Sequence, residues 1–265
     1  MGAGIDAERH DPYVAGVRTE VAVARVRAEV AALHAELVDN GLVVWTGGNV
    51  SARVPGADLF VIKPSDVSFA ALAPENMIVC DLDGVVVEGT PGSERAPSSD
   101  AAAHAYVYRN MPEVGGVVHT HSTYAAAWAT RAEAIPCVTI TMAEEFGESV
   151  PVGPLAVVGD ESIGRGIVET LRDARSRAVL MRNHGPFTLG VTPREAVRTA
   201  VILEDAARTV HIARDGGELA PLPTETIDDL FSRRTRSGTQ TTDERRPSNG
   251  AKRSSSADLL RSGTR

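Results

Sequence analysis

The sequence predicts an α/β fold with a mixed sheet. Three observations carry this prediction. Some segments repeat apolar residues at helical spacing, while others are short β-like runs. The two kinds alternate along the chain. An Asp83-Gly84 pair between two β-like runs marks a hairpin, so at least part of the sheet is antiparallel. With 265 residues and 43% apolar side chains, the chain can bury a sizeable core.

Residues 13–39 are expected to form one long helix. Asp11 stands at the N-cap with Pro12 in the first turn, and Gly41 marks the stop. Val17, Val21, Ala24, Ala28, Ala31, Ala35 and Val38 recur at spacings of three and four. Four β-like runs follow: Val50 to Val54, Leu59 to Ile62, Met77 to Asp81 and Val85 to Val87. A helix over 99–110 opens at Ser98 or Ser99. Val117-Val118-His119-Thr120-His121 reads as a buried strand running into a loop. Residues 123–130 and 161–173 are expected as helices, and 137–141, 178–182 and 187–191 as strands. Thr192-Pro193 begins a helix over 194–214. No internal repeat is visible.

The domain reading is a flexible N-terminus over 1–12, one domain over 13–231 and a basic tail over 232–265. The net charge of −8 divides unevenly: the tail carries nine Lys and Arg against three Asp and Glu, or +6, which leaves −14 for the rest. The tail lacks aromatic residues, and its one apolar cluster is Ala257, Leu259 and Leu260, so it is expected to be disordered. No apolar run reaches the roughly eighteen residues of a membrane span. The first residues carry charges and no apolar core, unlike a secretory signal. Cys80 and Cys137 read as reduced, buried small hydrophobes. These features suggest a cytoplasmic protein with neither a membrane nor a nucleic acid as its main partner.

Chemistry concentrates in a few segments. On a strand, His119 and His121 face the same side, which begins a transition-metal site, although such a pair alone is often surface or core. Asn183-His184-Gly185-Pro186 sets a third histidine after an apolar strand. Ser98-Ser99-Asp100 sets a carboxylate at a helix start. Three imidazoles and a carboxylate suit a divalent metal with an open position. Taken singly, Asp100 reads as a helix cap and His184 as a buried turn residue. Of the other histidines, His10 lies in the loose N-terminus, His34 and His211 read as surface or boundary residues, and His104 sits one turn after Asp100, close enough to orient it. Trp45-Thr46-Gly47-Gly48-Asn49-Val50-Ser51 is either an anion cradle or a plain tight turn. With Lys63-Pro64-Ser65-Asp66 and the Ser98-Ser99 helix start it suggests an oxyanion pocket beside the metal. Lys63 is the only lysine outside the tail. It is either a pocket charge or the one structured candidate for a Schiff base.

These segments in this order resemble the class II aldolase and epimerase family, which includes fuculose-phosphate aldolase, ribulose-5-phosphate 4-epimerase and adducin head domains. The matching text is Thr46-Gly47-Gly48-Asn49-Val50-Ser51, Lys63-Pro64-Ser65, Pro97-Ser98-Ser99-Asp100, His119-Thr120-His121-Ser122 and His184-Gly185-Pro186-Phe187. The resemblance spans roughly residues 15–215. It implies a mixed central sheet flanked by helices on both faces, and a homotetramer with active sites between subunits. It implies Zn2+ on His119, His121 and His184 with the Asp100 carboxylate at the metal. It further implies Thr46, Gly48, Asn49, Ser65, Ser98 and Ser99 as the groups around a small sugar-phosphate or hydroxy-carbonyl substrate.

The Pro-Ser-Ser-Asp context resembles the epimerase branch, which implies interconversion of L-ribulose 5-phosphate and D-xylulose 5-phosphate by retro-aldol and aldol steps through a metal-stabilised enediolate. Glu144, in Met142-Ala143-Glu144-Glu145-Phe146, matches that branch's acid/base position. The sequence departs from the family at three points: Asp66 replaces a glycine, Glu144 replaces an aspartate, and the C-terminal region has no tyrosine, the last being Tyr124. An aldolase or related lyase on the same metal, and a non-catalytic adducin-like module, are the competing expectations.

Overall fold

The structure, a computed structural model, describes residues 12–243. Asp11, His10 and the apolar residues of the far tail lie outside the described residues. The elements in chain order are α1 (Pro12–Asp39), β1 (Asn49–Arg53), β2 (Leu59–Ile62), β3 (Ile78–Asp81), α2 (Ala101–Asn110), β4 (Gly116–His119), α3 (Thr123–Arg131), α4 (Ile140–Phe146), β5 (Val152–Gly153), α5 (Ser162–Leu171), β6 (Ala178–Met181), β7 (Gly185–Gly190), α6 (Pro193–Asp215) and α7 (Thr224–Asp243). The strands form one seven-stranded sheet in the order β3-β2-β1-β4-β7-β6-β5. The β5–β6 pair is parallel and every other pair is antiparallel. The α/β class with a mixed sheet is therefore as the sequence predicts.

Both faces of the sheet are covered, which is why its strands read as apolar runs rather than alternating ones. Phe60, Ile62, Ile78, Cys80, Val117, Val179 and Leu189 pack with α2 and α5 on one face. Their strand neighbours Val61 and Val79 pack against α1, Val118 against α1 and α6, and Ala178 and Leu180 against α3, α4 and α6. Each strand thus divides its side chains between two cores by its period of two. Cys80 and Cys137 are buried and unbridged.

Register brings the chemistry to the middle of the sheet. His119, the last residue of β4, lies opposite Asn49 of β1 on one side and Phe187 of β7 on the other. Directly after His121, α3 begins. Ser122 occupies its N-cap without a side-chain bond. Instead Glu204 of α6 accepts the Tyr124 and Ala125 backbone N–H groups, each at 2.9 Å. Replacing Glu204→Ala should cost about 1–2 kcal/mol, the value of a lost cap, read from the urea unfolding midpoint.

Several expectations need correction. The amphipathic pattern of α1 sets His34 at a boundary, yet it is fully buried and joins α1 to β1. Its Nδ1 lies 2.7 Å from the Val30 carbonyl, and its Nε2 accepts the Val50 N–H at 3.0 Å. That pairing puts the proton on Nδ1 and leaves the ring neutral. Burial pushes His34 from 6.5 down to about 3, with the Val30 bond opposing and Lys63 adding to the fall. The unfolded chain therefore takes up a proton that the folded chain refuses. The His34 contribution to stability is complete above about pH 6.5 and is lost progressively as pH falls toward 3. Thermal melting between pH 7 and pH 4 should show this fall, and His34→Gln should make it shallower, the other buried histidines keeping their share.

Residues 137–141, expected as a strand, instead lead into helix α4. The Thr139 hydroxyl caps it by accepting the Met142 N–H at 3.2 Å, and Gly147 ends it at φ 67°. This capping geometry overrides the β-branched run Val138-Thr139-Ile140. Val85–Val87 is not a named strand: it makes a bridge from Val86 to Cys80, its Val87 N–H bonds Val79, and Val85 exchanges bonds with Asp81. The two-residue β5 went unforeseen. The expected boundary at 231/232 falls inside α7, which continues to Asp243. There α7 packs on α4: Phe231 lies against Gly147, and Arg234 pairs with the buried Glu145 at 2.8 Å.

Candidate active site

The ends of β4 and β7 bring three imidazoles together. The ligand-type atoms of His119, His121 and His184 lie within 4.8 Å of one another, and His119 Nε2 is 3.0 Å from His121 Nε2. His119 Nδ1 donates to the Pro186 carbonyl at 3.0 Å, which fixes the tautomer and turns the Nε2 lone pair toward the cluster. Phe187 stacks on the His119 ring, with centroids 4.2 Å apart and planes 17° apart. Burial pushes His119 down to about 3, partly opposed by Asp100 and reinforced by His184 and His121. His184 is likewise lowered, by burial first. The neutral imidazole is the form that binds metals.

The residues fit a divalent ion. Three nitrogen donors converge, and His184 Nδ1 is buried without a hydrogen-bond partner among the described residues. An unpaired buried acceptor is costly, and a cation would relieve it.

Asp100 belongs to the same cavity. It is the N-cap residue of α2 but makes no side-chain cap bond, so the plain capping reading does not hold. Its Oδ2 accepts the Asn49 amide N–H at 2.7 Å, and that amide also lies 3.0 Å from Ser98 Oγ. Burial alone would raise the carboxyl. His119, His104 and the Asn49 bond outweigh it and hold Asp100 below the ordinary carboxylate range.

A polar cavity of about 230 Å³ holds these groups. Thr46, Gly48, Asn49, Ser65, Ser98, Ser99, Asp100, His119, His121 and His184 all line it, as do Lys63, Asp66 and Val158. Gly48, at φ 98°, lets its loop lie against β4, where a Cβ would stand 2.9 Å from the His119 carbonyl. The glycine pair is thus a close-packing device at the cavity wall. Asp66 has φ 54°, a left-handed conformation that aspartate tolerates better than most side chains. Lys63 is buried, with Nζ 3.1 Å from the Pro64 carbonyl and 3.3 Å from that of Thr46. Burial lowers its pKa against the pull of Asp66 and Asp100.

Glu144 is the exception among the expected site residues. It sits on α4 and does not line the cavity. Its neighbour Glu145 is buried and pairs with Arg198, Arg234 and the Thr199 hydroxyl. Val158 was missed altogether. It follows β5 in a loop that also exposes Leu155 and Val157, and only this apolar run in a turn-rich segment could have pointed to it.

A profile of the class II aldolase and adducin N-terminal domain matches residues 28–211, which contain the whole cavity. The chain belongs to this family. Solved structures share the fold. An L-fuculose 1-phosphate aldolase is 28% identical, with a TM-score of 0.73 over 79% of this chain and 95% of its own. The L-fuculose-1-phosphate aldolase of Thermus thermophilus is 29% identical, with a TM-score of 0.60 over 74% and 99%. YgbL from Escherichia coli, described broadly as an aldolase/epimerase/decarboxylase, is 26% identical, with a TM-score of 0.68 over 79% and 99%. Class II aldolase membership supports an enzyme. Among the described residues, no helix is long and apolar enough to cross a membrane.

Proposed function

We propose that the protein is a metal-dependent, cytoplasmic lyase that cleaves a small sugar phosphate or related hydroxy-carbonyl compound by retro-aldol chemistry. The observation that carries this reading is the convergence of His119, His121 and His184 in one cavity with Asp100. A divalent ion, Zn2+ by the nature of its donors, would be held by the three imidazoles beside the Asp100 carboxylate and would supply the Lewis-acid charge that stabilises an enediolate.

The chain's own groups do the remaining work. Lys63 and the hydroxyls of Thr46, Ser65, Ser98 and Ser99 bind the anionic end of the substrate. Gly48 shapes the wall beside it. Asn49 holds Asp100 Oδ2 and so fixes the carboxylate beside the histidine cluster. Lys63 Nζ lies near the Pro64 and Thr46 carbonyls, which favours a binding charge over a Schiff-base nucleophile.

Glu144 serves as acid or base only from a neighbouring copy, because it does not line its own chain's cavity. This suits a homotetramer with sites between subunits. Exposed apolar side chains support the same assembly: Trp45, 89% exposed, Val44, Leu155 and Val157 all lie on the loops that supply Thr46 and Val158 to the cavity.

Epimerisation of L-ribulose 5-phosphate to D-xylulose 5-phosphate is the second reading, favoured by aspartate rather than glutamate at position 100. A catalytically silent adducin-like module is disfavoured by the intact histidine cluster. NMR of products from metal-loaded protein given L-fuculose 1-phosphate or L-ribulose 5-phosphate separates these readings. Dihydroxyacetone phosphate or other fragments indicate cleavage, and D-xylulose 5-phosphate without fragments indicates epimerisation. No conversion of these or of other hydroxy-carbonyl phosphates would sink both.

A further inference from the structure

Behind the cavity, on the face covered by α2, lies a set of buried polar groups that the proposed reaction does not use. Ser51 Oγ of β1 is 2.7 Å from Tyr108 Oη and 2.7 Å from His104 Nδ1, both on α2. All three residues are buried in the core. These bonds form a relay in which the phenol can donate to Ser51 and Ser51 to His104 Nδ1. In that arrangement Nδ1 accepts, and the neutral ring carries its one proton on Nε2.

That buried Nε2–H has no hydrogen-bond partner among the described residues, and a lone buried donor is costly. One helical turn earlier, Asp100 Oδ1 is also buried and unpartnered, while Oδ2 is taken by Asn49. Positions i and i+4 lie on one helix face. The donor without an acceptor and the acceptor without a donor are therefore neighbours.

We propose that His104 is the positioning residue for Asp100: its Nε2–H reaches Asp100 Oδ1 through one bridging water, so that Asn49 and His104 hold the carboxylate from two sides. The Tyr108–Ser51 pair fixes the His104 tautomer and so acts at the cavity from the core. This inference rests on the reading that Asp100 serves the histidine cluster.

Stepwise addition of Co2+ to metal-free protein tests it, with visible absorption reporting both affinity and ligand geometry. His104→Ala should weaken Co2+ binding by about 10–100-fold and change the spectrum, as loss of an outer-shell partner does. His104→Gln, which keeps a side-chain N–H, should restore most of the affinity. Tyr108→Phe removes one hydroxyl from a packed core residue and should lose part of the affinity, so the test survives a His104→Ala variant that does not fold. Wild-type binding and spectra in both His104→Ala and Tyr108→Phe would overturn the inference, provided that Asp100→Ala weakens binding. If Asp100→Ala itself leaves Co2+ binding unchanged, the placing of Asp100 at the ion fails instead.

Discussion

His121→Ala should abolish stable divalent-metal binding and lower kcat/KM by about a thousandfold or more. The ion's charge stabilisation is worth several kcal/mol in such reactions, and about 4 kcal/mol is a factor of a thousand. His121 is the best residue for this test because little else depends on it. His119 stacks on Phe187 and bonds Pro186, so its loss would also disturb the sheet, whereas His121 follows β4 and is exposed. The expected signature is a folded protein with an unchanged melting temperature in the absence of metal, lacking both bound ion and turnover. A variant that retains turnover without metal would contradict the role given to the cluster.

Gly116→Val should be the most damaging substitution in the scaffold, destabilising by about 3 kcal/mol or more. Gly116 and Gly190 are register partners on β4 and β7, and the start of α6 rests directly on them. A Cβ at Gly116 would stand 2.2 Å from Pro193 Cα, and one at Gly190 would stand 2.5 Å from Ala196 N. Both obstacles are backbone, so relief requires α6 to move. That helix covers the core around Val118 and carries Glu204, which caps α3 beyond His121. The clash would therefore reach the cavity from the far end of β4. Gly16→Ala provides the contrast: among the described residues nothing outside its own helical turn lies within 4 Å of its Cβ, and removing a helical glycine should stabilise by up to about 1 kcal/mol. Urea unfolding of the two variants beside the wild type measures both effects.

The cavity was legible in the sequence to an unusual degree because its residues sit at element ends. The H-x-H spacing sets His119 at the end of β4 and His121 just beyond it, a helix start marks Ser98 to Asp100, and glycine marks the close-packed loop at Gly48. What local pattern could not supply was direction. On α1 the buried stripe is Val26, Val30, Leu33 and Leu37 rather than the expected Val17, Val21 and Val38, and His34 lies on that stripe, where it receives the Val50 N–H. The run Val138-Thr139-Ile140 has strand composition, and a single hydroxyl cap converts it to helix. Glu144 and Glu145 are adjacent and chemically equal. Only packing shows that Glu145 is buried among arginines while Glu144 lies off the cavity. The partner relation between His104 and Asp100 is hinted at by their spacing, but its Ser51–Tyr108 anchor joins β1 to α2 across 53 and 57 residues and has no local trace.

The measurement that bears most directly on the central claim is the metal content of the purified, chelator-treated and zinc-reloaded protein, determined by elemental mass spectrometry alongside turnover. The account predicts one divalent ion per chain after reloading, loss of turnover on chelation, and recovery in proportion to the ion restored. A protein that holds no divalent ion at micromolar concentration, yet cleaves or epimerises its substrate at an undiminished rate, would contradict it.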